Sequence, residues 1–249
     1  LTIKFTNGKS MTCTANLTDT ELNRSSKILT SAEHCFVYKD DNGRRNYKVK
    51  VKSINWQTYT KDGELVQRRA KLLNSSRHSD VAILKLDKEV SFSKIRPFIL
   101  SPELEGDTPG DLVDIFDETA TLAGHSTDSL KGKKGAYLTY TDNLGWEKLK
   151  ESTDLYQREV TKVSAVSYGG ASGGALTMSL SDTSNDDLEL YENNGQRLFL
   201  GIASNVQALD QDKNTLYLSS GSHGGPITNV ISFNDFIEEG YLKYFSLNE

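Results

Sequence analysis

Apolar residues in this chain recur mostly at every second position, in short runs bounded by turn residues. Lys9 to Ala15 alternates loosely, Lys27-Ile28-Leu29-Thr30 is a brief apolar run, and Tyr47, Val49 and Val51 alternate with lysines on the way to Trp56. Asp40-Asp41-Asn42-Gly43 and Lys61-Asp62-Gly63 punctuate these runs as turns. Val81-Ala82-Ile83-Leu84-Lys85-Leu86 is the most apolar segment of the first half. A period of two predicts β-strands. Further strands are predicted near 64–67, 132–140, 158–166, 175–179, 198–203 and 215–218. The period changes only at the end of the chain, where Phe233, Phe236, Ile237 and Tyr241 share one face at helical spacing. Ser232, with Asp235 three residues later, predicts an N-terminal cap for a helix over 232–249.

Three of the four prolines, Pro97, Pro102 and Pro109, fall close together. Proline lacks an N–H donor and interrupts a sheet, so 97–110 reads as a linker between two halves. The second half is expected to restart at Asp111, with an apolar strand ending in Leu122-Ala123-Gly124. Residues 181–195 are polar and acidic. Their carboxylates match no calcium-loop spacing, and the stretch reads as a solvated surface loop. The pattern as a whole is that of an all-β protein.

Composition narrows the function classes. The 249 residues are enough for one large or two small domains, with 36% hydrophobic and 25% charged residues. A net charge of -5 gives no support to a nucleic-acid or anionic-membrane partner. No apolar run approaches the roughly 18 residues of a membrane span. The chain starts abruptly at Leu1, as a mature or trimmed protein would. Two cysteines, Cys13 and Cys35, are compatible with a disulfide or with two buried thiols. Nothing in the sequence calls for a cofactor or a metal. His78 beside Asp80 offers too few ligands for zinc, and His125 after a glycine turn reads as exposed. Asn16, Asn23 and Asn74 head glycosylation-type triplets, which matter only in a eukaryotic secretory host.

The candidate chemistry centres on Tyr168-Gly169-Gly170-Ala171-Ser172-Gly173-Gly174-Ala175. A nucleophilic serine must project from a tight turn, with backbone N–H groups aimed at the substrate carbonyl, and glycine permits both. Such a serine also needs a base, and the base needs an orienting acid. Upstream lie His34, after a short apolar strand, and Asp80, at the head of another. The order His, Asp, Ser differs from that of α/β-hydrolases, whose histidine comes last.

These segments resemble a family. Thr30-Ser31-Ala32-Glu33-His34-Cys35 resembles the Thr-Ala-Ala-His-Cys motif of trypsin/chymotrypsin-like serine proteases. Ser79-Asp80-Val81-Ala82-Ile83-Leu84-Lys85-Leu86 resembles their aspartate strand, and Gly170-Ala171-Ser172-Gly173-Gly174-Ala175 resembles Gly-Asp-Ser-Gly-Gly-Pro. Gly201-Ile202-Ala203-Ser204 and Gly224-Gly225-Pro226-Ile227 extend the likeness toward the C-terminus. The resemblance implies two six-stranded antiparallel β-barrels with a C-terminal α-helix. The first barrel, 1–96, would carry His34 and Asp80, and the second, 111–231, would carry Ser172. It implies a serine endopeptidase, monomeric and secreted or extracytoplasmic, acting on protein or peptide substrates through an acyl-enzyme. Ser172 would be the nucleophile, His34 the general base and acid, and Asp80 the orienting carboxylate. The N–H groups of Gly170 and Ser172 would form the oxyanion hole, Ser204 would support Asp80 and substrate backbone, and Cys13 and Cys35 would form a disulfide.

Two positions depart from the family pattern. Ala171 replaces the aspartate that, in zymogen-type members, pairs with a new N-terminus to set the oxyanion hole. Either other contacts hold that hole, or the chain is a weak or inert homologue that uses the fold as a binding module. At the expected floor of the specificity pocket stands Val166, with Val206 and Gly225 at its walls. Valine carries no charge for an Arg or Lys side chain, so a small or apolar residue is expected before the scissile bond. An alternative pairs Ser167 with His223 to hold an acidic one.

Overall fold

The computed structural model describes residues 1–40, 42–127, 136–167, 169–179, 195–210, 215–218 and 226–248. The first half contributes β1 (Thr2–Phe5), β2 (Ser10–Thr12), β3 (Asn16–Asp19), β4 (Ser26–Ala32), β5 (Val51–Tyr59), β6 (Leu65–Ser76) and β7 (Val81–Val90). They pair antiparallel in the order β2-β1-β5-β6-β7-β4-β3. Then follow β8 (Phe98–Ile99), β9 (Ala120–Thr127), β10 (Ala136–Leu144), β11 (Leu149–Thr153), β12 (Glu159–Val163), β13 (Ala175–Ser179), β14 (Arg197–Asp210), β15 (Thr215–Leu218) and β16 (Ile227–Ser232). The second set is also antiparallel, running β10-β9-β13-β14-β16-β12-β11, with β15 added to β14.

The alternation read in the sequence explains which faces are buried. Ile54 and Trp56 of β5 are buried between exposed neighbours, as expected of a strand with one solvated face. Val81 to Leu84 of β7 are buried on both faces, and this is the run with no alternation. One apolar cluster extends through both halves, from Ile3 and Leu29 to Phe199 and Phe236.

The proline-rich segment is more than a linker. Its β8 pairs in parallel with Thr18 and Asp19 of β3 on one side and with Leu198 of β14 on the other. The two strand sets therefore form one continuous, curled, hydrogen-bonded sheet, and the pairing does not divide it into two closed barrels.

Residues expected to begin a strand at Asp111 instead form helix α1 (Pro109–Ile115). Thr108 caps it through a reciprocal pair of bonds with Asp111, and Pro109 occupies the first turn. Both features are standard starts for a helix. The expected strand follows at β9. The predicted C-terminal helix is present in two pieces. Helix α2 (Asn234–Glu238) stops at Gly240, whose φ of 68° is left-handed, and a 3-10 helix covers Tyr241–Asn248. Ser232 is engaged as a local turn acceptor, receiving the Asn234 N–H at 3.2 Å. No helix among the described residues is long and apolar enough to cross a membrane.

Candidate active site

Strand register brings His34 to Asp80. β4 and β7 run antiparallel with Ala32 opposite Val81. The residue just before Val81 therefore lies beside the 3-10 turn Glu33–Phe36 that follows β4. The Glu33 N–H donates to the Asp80 carbonyl at 2.9 Å, and the His34 N–H donates to Asp80 Oδ1 at 3.0 Å. His34 Nδ1 lies 2.9 Å from Asp80 Oδ2. With the carboxylate as acceptor, Nδ1 carries the proton and Nε2 is left as the basic nitrogen. Asp80 adopts φ 59°, a left-handed conformation uncommon outside glycine. That strain is confined to the residue whose side chain and carbonyl both bind the His34 turn.

Asp80 is almost wholly buried. Burial pushes its carboxyl upward. The His34 and Arg158 charges and the bonds from His34 and Ser204 outweigh that, and its pKa is held well below the usual carboxylate range. Ser204 donates to Asp80 Oδ2 through a short hydrogen bond. Ser204 sits where β14 is irregular against β16, between Ala203 and Asn205. Arg158 adds a salt bridge to the same oxygen at 3.1 Å. On the other side, Glu33 is buried and pairs with Arg45 at 3.0 Å. Its burial raises its pKa, against the pull of Arg45.

Ser172 sits in the turn that leads into β13. Its neighbours require glycine. A Cβ on Gly173 would come within 2.3 Å of the Thr14 carbonyl, and one on Gly174 within 2.4 Å of the Ala123 carbonyl. Gly170 has φ 95°. Ala171 is buried with its backbone against Gly124. In place of an acidic side chain, Thr14 and Asn16 hold the segment. Thr14 donates its N–H to the Ser172 carbonyl at 2.8 Å and its hydroxyl to the Gly170 carbonyl at 3.0 Å. Asn16 Nδ2 donates to the Gly173 carbonyl at 2.7 Å. Asn16 is buried in this role, which is incompatible with carrying a glycan.

His34, Asp80 and Ser172 line one cleft of about 400 Å³. Among the described residues, no hydrogen bond joins Ser172 Oγ to His34. Ser167, Ser204 and Val206 also line the cleft, with Thr228 from β16. The Thr228 hydroxyl is 3.0 Å from that of Ser167, and both are buried. Val166 is 50% exposed and is not part of this lining. Gly225, His223 and most of the acidic stretch 181–195 lie outside the described residues. Cys13 and Cys35 form a disulfide, and it ties the end of the first hairpin to the His34 turn. Closing that loop is worth about 3 kcal/mol in the chain-entropy model. His125 is half-buried, with burial lowering its pKa. No group of three or more His, Cys, Asp and Glu among the described residues is placed to hold a metal.

The sequence reading did not find Thr14, Arg158 or the Glu33–Arg45 pair. Thr14 reaches Gly170 and Ser172, and Arg158 reaches Asp80, across 78 to 158 positions, so no local motif marks these contacts.

The sequence matches no protein-family model and no curated protein. Solved structures do match. A thermostable serine protease, AL20, from an extremophilic microorganism is similar over 98% of this chain and 94% of its own, with a TM-score of 0.59 at 12% identity. A Glu endopeptidase solved in complex with MPD is similar over 96% of this chain and 88% of its own, with a TM-score of 0.50 at 14% identity. At these identities the likeness establishes the fold, which is the chymotrypsin-like fold of serine proteases.

Proposed function

We propose that this chain is a serine endopeptidase that works through His34, Asp80 and Ser172 from a cleft between two barrel-like halves. The observation that carries the reading is the His34 Nδ1 to Asp80 contact of 2.9 Å, in the same cleft as the glycine-flanked Ser172. His34 Nε2 takes the Ser172 proton as Oγ attacks the substrate carbonyl. The new imidazolium is stabilised by Asp80, and the oxyanion by the N–H groups of Gly170 and Ser172. His34 then protonates the leaving amine, and water resolves the acyl-enzyme by the same route. The Ser172–His34 bond forms on substrate binding, since such bonds are often long in unliganded sites.

The described lining near Ser167 and Thr228 is hydroxylic and uncharged. It supports cleavage after uncharged or acidic residues and disfavours Arg or Lys. The Cys13–Cys35 disulfide supports an extracytoplasmic site of action. A second reading, a binding module without turnover, is favoured by the unmade Ser172–His34 bond and by Ala171.

Labelling with a fluorophosphonate decides between the two. Stoichiometric labelling of the protein, lost in Ser172→Ala and in His34→Ala, is the result expected of the protease. Absence of labelling in folded protein would leave the binding module. A peptide library then reads the residue before the cut, and a preference for Arg or Lys would overturn the pocket assignment.

A further inference from the structure

The hairpin between β11 and β12 delivers a cation to the carboxylate that faces His34. The turn 154–158 is closed by the Asp154 N–H donating to the Arg158 carbonyl at 2.9 Å, with Gln157 at φ 64°. Asp154 Oδ1 accepts the N–H groups of Tyr156 and Arg158 at 2.7 and 3.1 Å. Asp154 Oδ2 accepts Arg158 Nε and Nη2 at 2.9 and 2.6 Å. Arg158 is thereby locked by its own turn, with its guanidinium over the Tyr156 ring at 5.3 Å. Nη2 also donates to Ser204 Oγ at 3.1 Å, and Nη1 reaches Asp80 Oδ2 at 3.1 Å. The side chains of Arg158, Asp154 and Asp80 are 11%, 0% and 2% exposed, so water screens these charges weakly.

Asp80 Oδ2 therefore serves three donors: His34 Nδ1, Ser204 Oγ and Arg158. Ser204 orients the carboxylate without changing its charge. Arg158 does both. Its positive charge lies one carboxylate oxygen away from the ring that must become positive during the reaction. Without it, Asp80 and Asp154 would present two buried negative charges to His34. With it, they present one.

We propose that Arg158 is a positioning residue for Asp80, one that also offsets the buried Asp154 and so tempers the field under which His34 accepts its proton. This rests on the protease reading of the cleft. Other charged groups near His34 are accounted for. Glu33 and Arg45 form a neutral pair on its first-half side. Lys39 lines the outer cleft and is exposed. Glu239 is bound to Ser79 at 2.6 Å, next to Asp80 in sequence. All of these are unchanged in the variants below.

The test is a proton-NMR titration of His34, assigned by comparison with His34→Ala, together with the pH dependence of fluorophosphonate labelling. Arg158→Gln is expected to raise the titration midpoint by about 1 pH unit, the size of shift a near, poorly screened charge produces. The acid limb of labelling should move by the same amount, with the plateau rate reduced about tenfold. Arg158→Lys keeps the charge and is expected to hold the midpoint near that of the unsubstituted protein. The double variant Asp154→Asn, Arg158→Gln restores one net negative charge and avoids an unpaired buried carboxylate. It should return the midpoint most of the way, while the plateau rate stays low for want of the Asp80 contact. An unmoved midpoint in folded Arg158→Gln would overturn the inference. So would a double variant that titrates as high as the single one. Because the NMR readout needs no turnover, failure of the unsubstituted protein to label would count against the protease reading alone.

Discussion

The backbone N–H of Thr14 donates to the carbonyl of Ser172 at 2.8 Å, so a first-half residue fixes the main chain of the candidate nucleophile. The same residue holds Gly170 through its hydroxyl, which also accepts the His125 N–H at 2.9 Å. Thr14→Val keeps the shape and removes the hydroxyl's bonds, stranding polar groups at a cost of about 1–3 kcal/mol. Labelling by a fluorophosphonate is expected to slow at least about tenfold as the proposed oxyanion donors lose their placement. Thr14→Ser should stay close to the unsubstituted rate. Equal rates for Val and Thr would show that Gly170 and Ser172 keep their shape unaided.

Gly173 and Gly63 share a left-handed φ, at 82° and 81°, but differ in their surroundings. A Cβ at Gly63 meets open space, whereas at Gly173 it meets the Thr14 carbonyl and Ser31 Oγ within 2.5 Å. Gly63→Ala should cost only the backbone penalty of about 1–2 kcal/mol. Gly173→Ala should cost more, since buried backbone must shift, and labelling should be lost. Denaturant titration of the two variants measures the difference.

Removing the Cys13–Cys35 link by double substitution to alanine is expected to lower stability by about 3 kcal/mol and Tm by roughly 6–12 °C. The His34 turn loses one of its ties and keeps its bonds to Asp80 and the Glu33–Arg45 pair. Differential scanning calorimetry reads the loss. A Tm within a degree of the disulfide form would mean that the turn is held without the disulfide.

Asp235, in the first turn of α2, has its carboxyl pushed up to about 7 by burial and by Glu238, Glu239 and Glu159. A carboxyl raised on folding contributes stability that is present below its unfolded value, near 4, and lost as pH rises toward 7. Asp235→Asn is expected to raise Tm at pH 8 and to leave it unchanged at pH 4. An identical Tm difference at both pH values would assign the effect to packing.

Much of the candidate site is legible because its residues sit in local contexts that chemistry dictates. His34 follows an apolar strand, Asp80 opens one, and Ser172 is enclosed by glycines that the close approach of Thr14 and Ala123 requires. What was missed depends on partners far along the chain. Arg158 reaches Asp80 because a five-residue turn aims it there, which no spacing reveals. Helix α1 was legible in principle, since Thr108 and Asp111 form its cap, but Pro109 and Gly110 read more strongly as a loop. The C-terminal helix was over-extended because its apolar spacing continues past Gly240 to Tyr241 and Phe245, while the backbone does not. Val166, six residues before Ser172, is 50% exposed, and the neighbouring Ser167 is buried.

The final 3-10 helix packs on α2 of its own half, where Tyr241 meets the Phe236 ring, and also on β4 of the first half. Tyr241 and Phe245 are buried within the shared core. Asn248 Oδ1 accepts the Lys27 N–H at 3.0 Å, and Asn248 Nδ2 donates to Asp19 Oδ2 at 2.7 Å. The strand that crosses between halves ends at the same spot, with the Leu100 N–H on the Asp19 carbonyl at 2.8 Å. During synthesis, chains generally fold from the N-terminus as domains emerge. Here β3 and β4, made early, lack the cover that 241–248 provide until that segment has left the ribosome. The half that carries His34 and Asp80 therefore receives this cover last, and a ribosome stalled short of Tyr241 holds both of those residues on an uncovered sheet.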